Sequence, residues 1–336
     1  MPAMTPSQPA IGVAITTYCA AGFIGRCLAS LRASQGVRLK VVVVDNCSPD
    51  MTCEAIRAWA AEHLGDGEFA EGTEGMTTAW LTLLRAPVNG GFARGTNMAL
   101  RVLLADPGIA LFWLLNPDCE VNPGAALAYA RAGADGNFAL MGGRTVFAGR
   151  PGTIQSDGGR VSRLTGRCVS VNARADAALA PPPDAATLDY FTGANCVASR
   201  RFVETCGLLP EEYFLFYEEV DWALRRGSLP LRYVPGAVVR HVGGSAIGTG
   251  TIERRSSPLA AYFSFRNRIR FVRRWNPLAQ PLALASGLAH PVRLAAVGDL
   301  AQAHATLAGV LQFTPPHAVR QLIASEARRL AFGADG

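Results

Sequence analysis

Four consecutive valines, Val41 to Val44, lead straight into an acid at Asp45. A run that is apolar at every position belongs to a strand covered on both faces, and such strands sit in the parallel sheets of α/β proteins. IGVAITT (11–17), AWLTLL (79–84) and ALFWLL (110–115) have the same form. Helical patterns lie between them: one with Phe23, Cys27 and Leu31 on one face, one through Ile56 and Trp59, and one from after Gly91 to Leu104. This alternation predicts a mostly parallel central sheet flanked by helices. Later, FALMGG (138–143) and LRYVP (231–235) read as strands, and 199–227 as helical with a break at Pro210. Residues 150–187, Gly-rich and then Ala/Pro-rich, are expected to form a hairpin and a mobile excursion. From about 258 onward the pattern is helical only.

The chain has 336 residues, 49% hydrophobic and 17% charged, which excludes a disordered protein and suffices for a large core. Its eight cysteines form no CxxC and have no His close by, so zinc-site spacing is absent and free thiols in a reducing cytosol are expected. The first ten residues lack the basic start and apolar core of a signal peptide. No apolar run approaches the ~20 residues of a membrane span. Lys40 is the only lysine among 32 basic side chains, which excludes chemistry needing a tunable lysine. The net charge of +6 is uneven: residues 254–325 carry nine Arg against Asp299 alone, whereas the first 253 residues hold 21 basic and 23 acidic groups.

Ligands of an open parallel sheet collect at the carboxyl ends of its strands. Four polar clusters fall there: Thr16–Tyr18, Asp45–Asp50, Asn89–Asn97 and Asn116–Asp118. GxGxxG and the P-loop pattern are both missing, so a dinucleotide turn and a P-loop are excluded. Asp45 suits a pyrimidine N–H or a ribose hydroxyl, and Asp118 suits Mg²⁺ or Mn²⁺ shared with phosphates. Asp50, beside Pro49, is expected to be a turn former.

Read in order, IGVAITTY, VVVVDNCSPD, NGGFARGTN and LLNPDCEV resemble glycosyltransferase family 2, which has the GT-A fold. The block DYFTGANCVASRRFVETCGLLPEEYFLFYEEVDWALRRG, with RHVGGSA (240–246) and AYFSFRN (261–267), resembles its rhamnosyltransferase-like branch. The resemblance covers about 11–275. It implies a catalytic domain over 1–257, with a nucleotide-sugar and metal half over about 11–135 and an acceptor half over 136–257. A helical basic extension over 258–336 follows.

The resemblance implies an inverting transferase that uses a nucleotide-diphosphate sugar, dTDP-rhamnose before a UDP-sugar, and a divalent metal. Thr17, Tyr18 and Asp45 would frame base and ribose, and Asn89, Arg94, Asn97 and Asn116 would line the donor pocket. Asp118 would hold Mg²⁺ or Mn²⁺. Asn116 stands where the fullest motif has an acid, which predicts weaker metal binding or a greater share for phosphate and His241. Glu219 would be the base, with Asp221 as metal support or acceptor contact. Crowded acids at a helix start raise one another's pKa, the property a base near neutrality needs. Trp222 and Arg266 would face acceptor or diphosphate, and residues 244–257 would form a loop closing over donor and metal.

On the helix expected over 258–275, Arg266, Arg270, Arg273 and Arg274 cluster on one side, opposite Phe265, Phe271, Val272 and Trp275. An anionic membrane surface is the expected partner, at roughly 1 kcal/mol per basic group. Nucleic acid is not expected, because no row of stacking aromatics accompanies the arginines. The chain thus reads as a glycosyltransferase on the cytoplasmic face of a membrane, extending a lipid-linked or surface glycan. The alternatives are a nucleotidyltransferase and a non-catalytic nucleotide-sugar scaffold.

Overall fold

A computed structural model of the chain describes residues 9–72, 77–244 and 256–333. The first half alternates strands and helices apart from the consecutive β3 and β4: β1 (Ala10–Thr17), α1 (Ile24–Arg32), β2 (Arg38–Asp45), α2 (Thr52–His63), β3 (Phe69–Glu71), β4 (Leu81–Arg85), α3 (Phe92–Leu104) and β5 (Leu111–Leu115). β6 (Cys119–Val121), α4 (Ala125–Ala132), β7 (Leu140–Phe147), β8 (Arg150–Ser156), β9 (Gly159–Val161) and β10 (Cys168–Ser170) follow. Then come β11 (Asn195–Ser199), α5 (Arg200–Cys206), α6 (Glu218–Leu224) and β12 (Arg232–His241). The remainder is helical: α7 (Pro258–Trp275), α8 (Gln280–Ala296), α9 (Leu300–Val310), α10 (His317–Arg320) and α11 (Ser325–Phe332).

One sheet runs β3-β4-β2-β1-β5-β11-β7-β12-β6, with β8 paired to β7. The strands from β3 to β5 are mutually parallel; β11 is antiparallel to both β5 and β7. The valines of β2 are fully buried, as an uninterrupted apolar run requires. Val42 and Val44 face one core layer with α3, and Val41 and Val43 face the other with α1 and α2. The parallel strands end together at Thr17, Asp45, Arg85 and Leu115, so the loops after them share one rim.

The hairpin expected within 150–187 forms, with β9 antiparallel to β10, but two other expectations fail on packing. Residues 150–187 are not a loose excursion: Arg144 donates to the carbonyls of Ala177 and Ala180 and pairs with buried Asp157 at 2.8 Å. Asn172 joins Asp157 to the carbonyl of Pro181, so a Pro/Ala-rich segment is held by side chains distant in sequence. Nor do the four α7 arginines form one free face: Arg273 and Arg274 are exposed, but Arg266 and Arg270 are engaged inside the protein. Arg266 is 1% exposed and donates to the carbonyls of Ala331 and Tyr213. Arg270 bonds Gln312 and the Glu212 carbonyl, and Arg274 pairs with Glu212 and Asp221. The helix is covered on one side by the sheet layer and on the other by α9 and α11. No helix among the described residues is long and apolar enough to cross a membrane.

Candidate active site

The exit loop of β2 is built around two buried side chains. Asp45 accepts from the Thr17 hydroxyl at 3.3 Å and the Ser48 N–H at 3.1 Å. Asn46 donates to Asn89 Oδ1 at 2.9 Å and to the Gly91 carbonyl at 3.0 Å, and accepts the Gly90 N–H at 3.1 Å. It thereby locks the loop after β2 to the turn before α3. Tyr18, half-buried, hydrogen-bonds Asn89, and burial raises its phenol pKa. Arg94 lies exposed over Gly90, whose Cβ, if present, would meet Arg94 Cδ at 2.3 Å. Thr17, Tyr18, Asp45, Asn89 and Arg94 thus converge on one rim, with Asp45 fully buried and acting on the loop's shape. Asp50 accepts the Thr52 N–H and hydroxyl and so starts α2, the turn-forming role expected of it.

Asn97 does not reach that rim. It is 1% exposed, donates to the Leu209 carbonyl and Glu211, and accepts the Leu209 N–H. Its position one turn into α3 directs it at the segment before α6, so its amide is consumed inside the protein.

After β5 the chain brings Asn116, Asp118 and His241 together. β12 runs antiparallel to β6, with His241 opposite Cys119. His241 Nε2 lies 3.1 Å from Asp118 Oδ1 and 3.2 Å from Asn116 Nδ2, while Nδ1 lies 2.6 Å from Gln155 Oε1. With Gln155 accepting, Nδ1 carries the proton and the Nε2 lone pair faces the carboxylate. A carboxylate oxygen and an imidazole nitrogen 3.1 Å apart can share either a proton or a cation, and this donor pair fits a divalent cation held by carboxylate and imidazole. Asp118 also accepts the Gly243 N–H at 3.1 Å. Cys119 completes a three-residue cluster within 4.8 Å, but burial raises its thiol pKa well above normal and Sγ donates to the Ala194 carbonyl. A neutral, engaged thiol is no ligand for a hard cation. Oxygen and imidazole donors suit Mn²⁺ better than Mg²⁺. Gln155 had no sequence signal, since it lies in the stretch read as mobile. Of the loop expected over 244–257, residues 245–255 lie outside the described residues.

The third component is the start of α6. Phe214, Phe216 and Tyr217 hold φ of 64°, 67° and 74°, a region that costs residues with a Cβ roughly 1–3 kcal/mol each. Asn267 holds them there: its Nδ2 donates to the carbonyls of Tyr213, Leu215 and Phe216 at 2.8, 2.6 and 3.1 Å. Gly91 is pressed against this loop, since a Cβ would lie 2.2 Å from the Phe214 carbonyl oxygen. The Phe92 N–H donates to that oxygen at 2.9 Å, coupling the turn before α3 to the loop.

This strained loop delivers Glu218 and Glu219. The Oε2 atoms of both are buried without a hydrogen-bond partner. Burial, with the Glu219 charge beside it, raises the Glu218 pKa well above the carboxylate range, and burial raises that of Glu219 to about 7. Glu219 lines a cleft of about 280 Å³ with Tyr190, Phe216 and Tyr217. The stretch from Tyr190 to Ala194 leads from this cleft to the Asp118 corner, where the Ala194 carbonyl accepts the Asn116 N–H.

Three expected site residues are internal instead. Asp221 is 0% exposed and saturated: Tyr213 and Trp275 donate to it, and Arg225 and Arg274 pair with it. Both of its oxygens are engaged inside the protein, leaving neither directed at a cleft. Trp222 packs on Phe202 and donates to the Gly207 carbonyl, so it is core, not a sugar platform. Arg266 is spent on Tyr213 and Ala331, away from any cleft. Asn46 and Asn267, both within quoted motifs, carry the site's architecture instead.

Residues 12–157 match the family model for glycosyl transferase family 2. That segment contains Thr17, Tyr18, Asp45, Asn89 and Arg94 of the rim, Asp118 and Gln155. No curated protein matches the chain in sequence. Among solved structures, it is similar to a mannosyltransferase from Pyrobaculum calidifontis in complex with GDP-Man and Mn²⁺, at 17% identity, TM-score 0.52, over 97% of this chain and 83% of that one. It is also similar to TarS of S. aureus with UDP-GlcNAc, at 15% identity, TM-score 0.50, over 96% and 88%. A third is GalNAc-T7 with UDP, GalNAc and Mn²⁺, at 12% identity, TM-score 0.51, over 78% and 48%. The fold is GT-A-like, with a mostly parallel central sheet and C-terminal helices.

Proposed function

We propose that the protein is an inverting glycosyltransferase that moves a sugar from a nucleotide-diphosphate donor to a hydroxyl acceptor. The observation that carries this reading is Glu219, a carboxyl with an orphaned buried oxygen and a pKa of about 7, lining a cleft beside a donor rim. Glu219 takes the proton of the acceptor hydroxyl as its oxygen attacks the anomeric carbon, and the bond from that carbon to the donor's diphosphate breaks. The loop of Tyr213–Tyr217, held by Asn267, fixes the carboxylate in place for that step. Asp118 and His241 would hold Mn²⁺, with Gln155 orienting the imidazole. The metal, when bound, stabilises negative charge on the departing diphosphate. Glu219 in place of a shorter aspartate sets the acceptor about one methylene farther from α6.

For the donor, dTDP-rhamnose is first on the resemblance of the 189–227 block, and a UDP-sugar second. GDP-mannose joins the panel because a structural relative was solved with it. Eight free cysteines favour a reducing compartment. Docking to an anionic membrane surface moves from α7 to α8. That helix exposes Leu282 (50%) and Val292 (67%), carries no acid, and has exposed Arg293 beside them. The acceptor on this reading is a lipid-linked or surface glycan.

Thermal-shift screening of nucleotide-sugars with Mn²⁺, followed by assay of donor turnover, tests the proposal. A stabilising donor whose turnover is lost in Glu219→Gln supports it. Full turnover in that variant removes Glu219 as the base.

A further inference from the structure

The cleft beside Glu219 has a second charged feature that the transfer step does not use. Arg167 and Arg268 line it together with Tyr190, Phe216 and Phe265. Neither guanidinium has an ion-pair partner among the described residues. Arg268 donates through Nε to the Thr165 carbonyl at 2.6 Å and through Nη2 to Ser286 at 2.7 Å, which fixes its plane over the Phe265 ring. Its Nη1 has no hydrogen-bond partner among the described residues. Arg167 is exposed at the mouth. The other titratable side chains of the cleft are neutral, since burial raises the pKa values of Cys168, Tyr190 and Tyr217. Two cations with no ion-pair partner among the described residues, in a cleft whose one acidic lining residue is Glu219, therefore face the space an acceptor must enter.

That space continues. A second cavity, of about 230 Å³, shares Phe216, Ser264 and Phe265 with the first. Beyond these it is lined by Ala260 and Ala261 of α7, by Ser256, and by His290 of α8, which stacks on Phe265 at 5.1 Å. The groove thus runs from a carboxyl, past two guanidiniums, to a mixed end with an alanine wall beside α8.

We propose that this groove is the acceptor site and that it selects an acceptor carrying a phosphate group next to the reacting sugar. Arg167 and Arg268 bind the phosphate oxygens, Arg through its planar fork, while the hydroxyl reaches Glu219. The phosphate comes either from a lipid diphosphate, whose chain would follow the alanine wall, or from a soluble phosphate ester. This inference rests on the glycosyltransferase reading above.

Titration calorimetry tests it on the full chain, saturated with Mn²⁺ and the nucleoside diphosphate selected by the donor screen, so that the donor site is filled. The probes are inorganic pyrophosphate, farnesyl diphosphate and octyl β-glucoside. Both phosphate probes should bind, and Arg167→Ala and Arg167→Glu should weaken them at least tenfold while octyl β-glucoside is unaffected. Tighter binding of farnesyl diphosphate than pyrophosphate assigns the phosphate to a lipid; equal binding assigns it to a soluble ester. Absence of heat from both phosphate probes, or equal affinity in the Arg167 variants, overturns the proposal and leaves the transferase reading standing. If no nucleoside diphosphate binds in the first place, the transferase reading falls and this inference with it.

Discussion

Replacing Glu219 by Gln separates catalysis from stability in a way that only a buried, charge-bearing base produces. In the folded chain its pKa is raised from 4.5 to about 7. Each tenfold of proton affinity is worth about 1.4 kcal/mol, so ionising this group in the native state costs roughly 3 kcal/mol relative to the unfolded chain. The sign follows from which state holds the proton. Between 4.5 and 7 the folded chain binds more protons than the unfolded one, so this group's contribution to stability is lost as pH rises through that window. Above it the full cost is present. Glu219→Gln removes the ionisation and should therefore raise Tm at pH 8, by roughly 6 °C at about 2 °C per kcal/mol for a chain of this size. At pH 5 the gain should fall below about 1 kcal/mol. Thermal unfolding at both pH values, with donor turnover measured on the same preparations, is the assay. A pH-independent Tm change would refute the reasoning, as would a variant less stable than the parent at pH 8.

Other perturbations address the parts separately. Gln155→Leu leaves both proposed metal ligands but removes the acceptor that orients His241, and Mn²⁺ affinity measured by electron paramagnetic resonance should fall about 10–100-fold. Unchanged affinity would mean the imidazole needs no orientation. Asn267→Ala removes the side-chain donor from the carbonyls of Leu215 and Phe216, leaving that of Tyr213 to Arg266, and should cost about 2–3 kcal/mol in denaturant unfolding; a loss below about 1 kcal/mol would show the loop to be self-supporting. Leu282→Glu with Val292→Glu should abolish sedimentation with vesicles of anionic lipid, while binding equal to the parent's would exclude α8 as the contact.

The parallel half of the fold was legible because its signals are local. Val41–Val44 specify a doubly covered strand, and Gly91 followed by an amphipathic run to Leu104 specifies a helix that the structure begins at Phe92 and ends at Leu104. The rim followed, because the polar residues after each strand must emerge at one sheet edge. Partner choice was not legible. Asp221, Asn97 and Arg266 are polar residues in the right motifs, yet each is engaged by groups far away in sequence, Asp221 by Trp275 and Arg274. A helical wheel sorted the α7 arginines from its aromatics but carried no information that the part of the basic side holding Arg266 is covered. Residues 150–187 looked loose because composition does not register Arg144 and Asn172 holding their carbonyls, and Gln155 was hidden with them.

Phosphorus NMR of the chain incubated with Mn²⁺ and dTDP-rhamnose, UDP-sugars and GDP-mannose in turn tests the central claim most directly. The account predicts that one donor yields its nucleoside diphosphate, with the rate falling on the acid side of about pH 7 and lost in Glu219→Gln. Release of pyrophosphate instead, or nucleoside diphosphate formed equally well by Glu219→Gln, would contradict it.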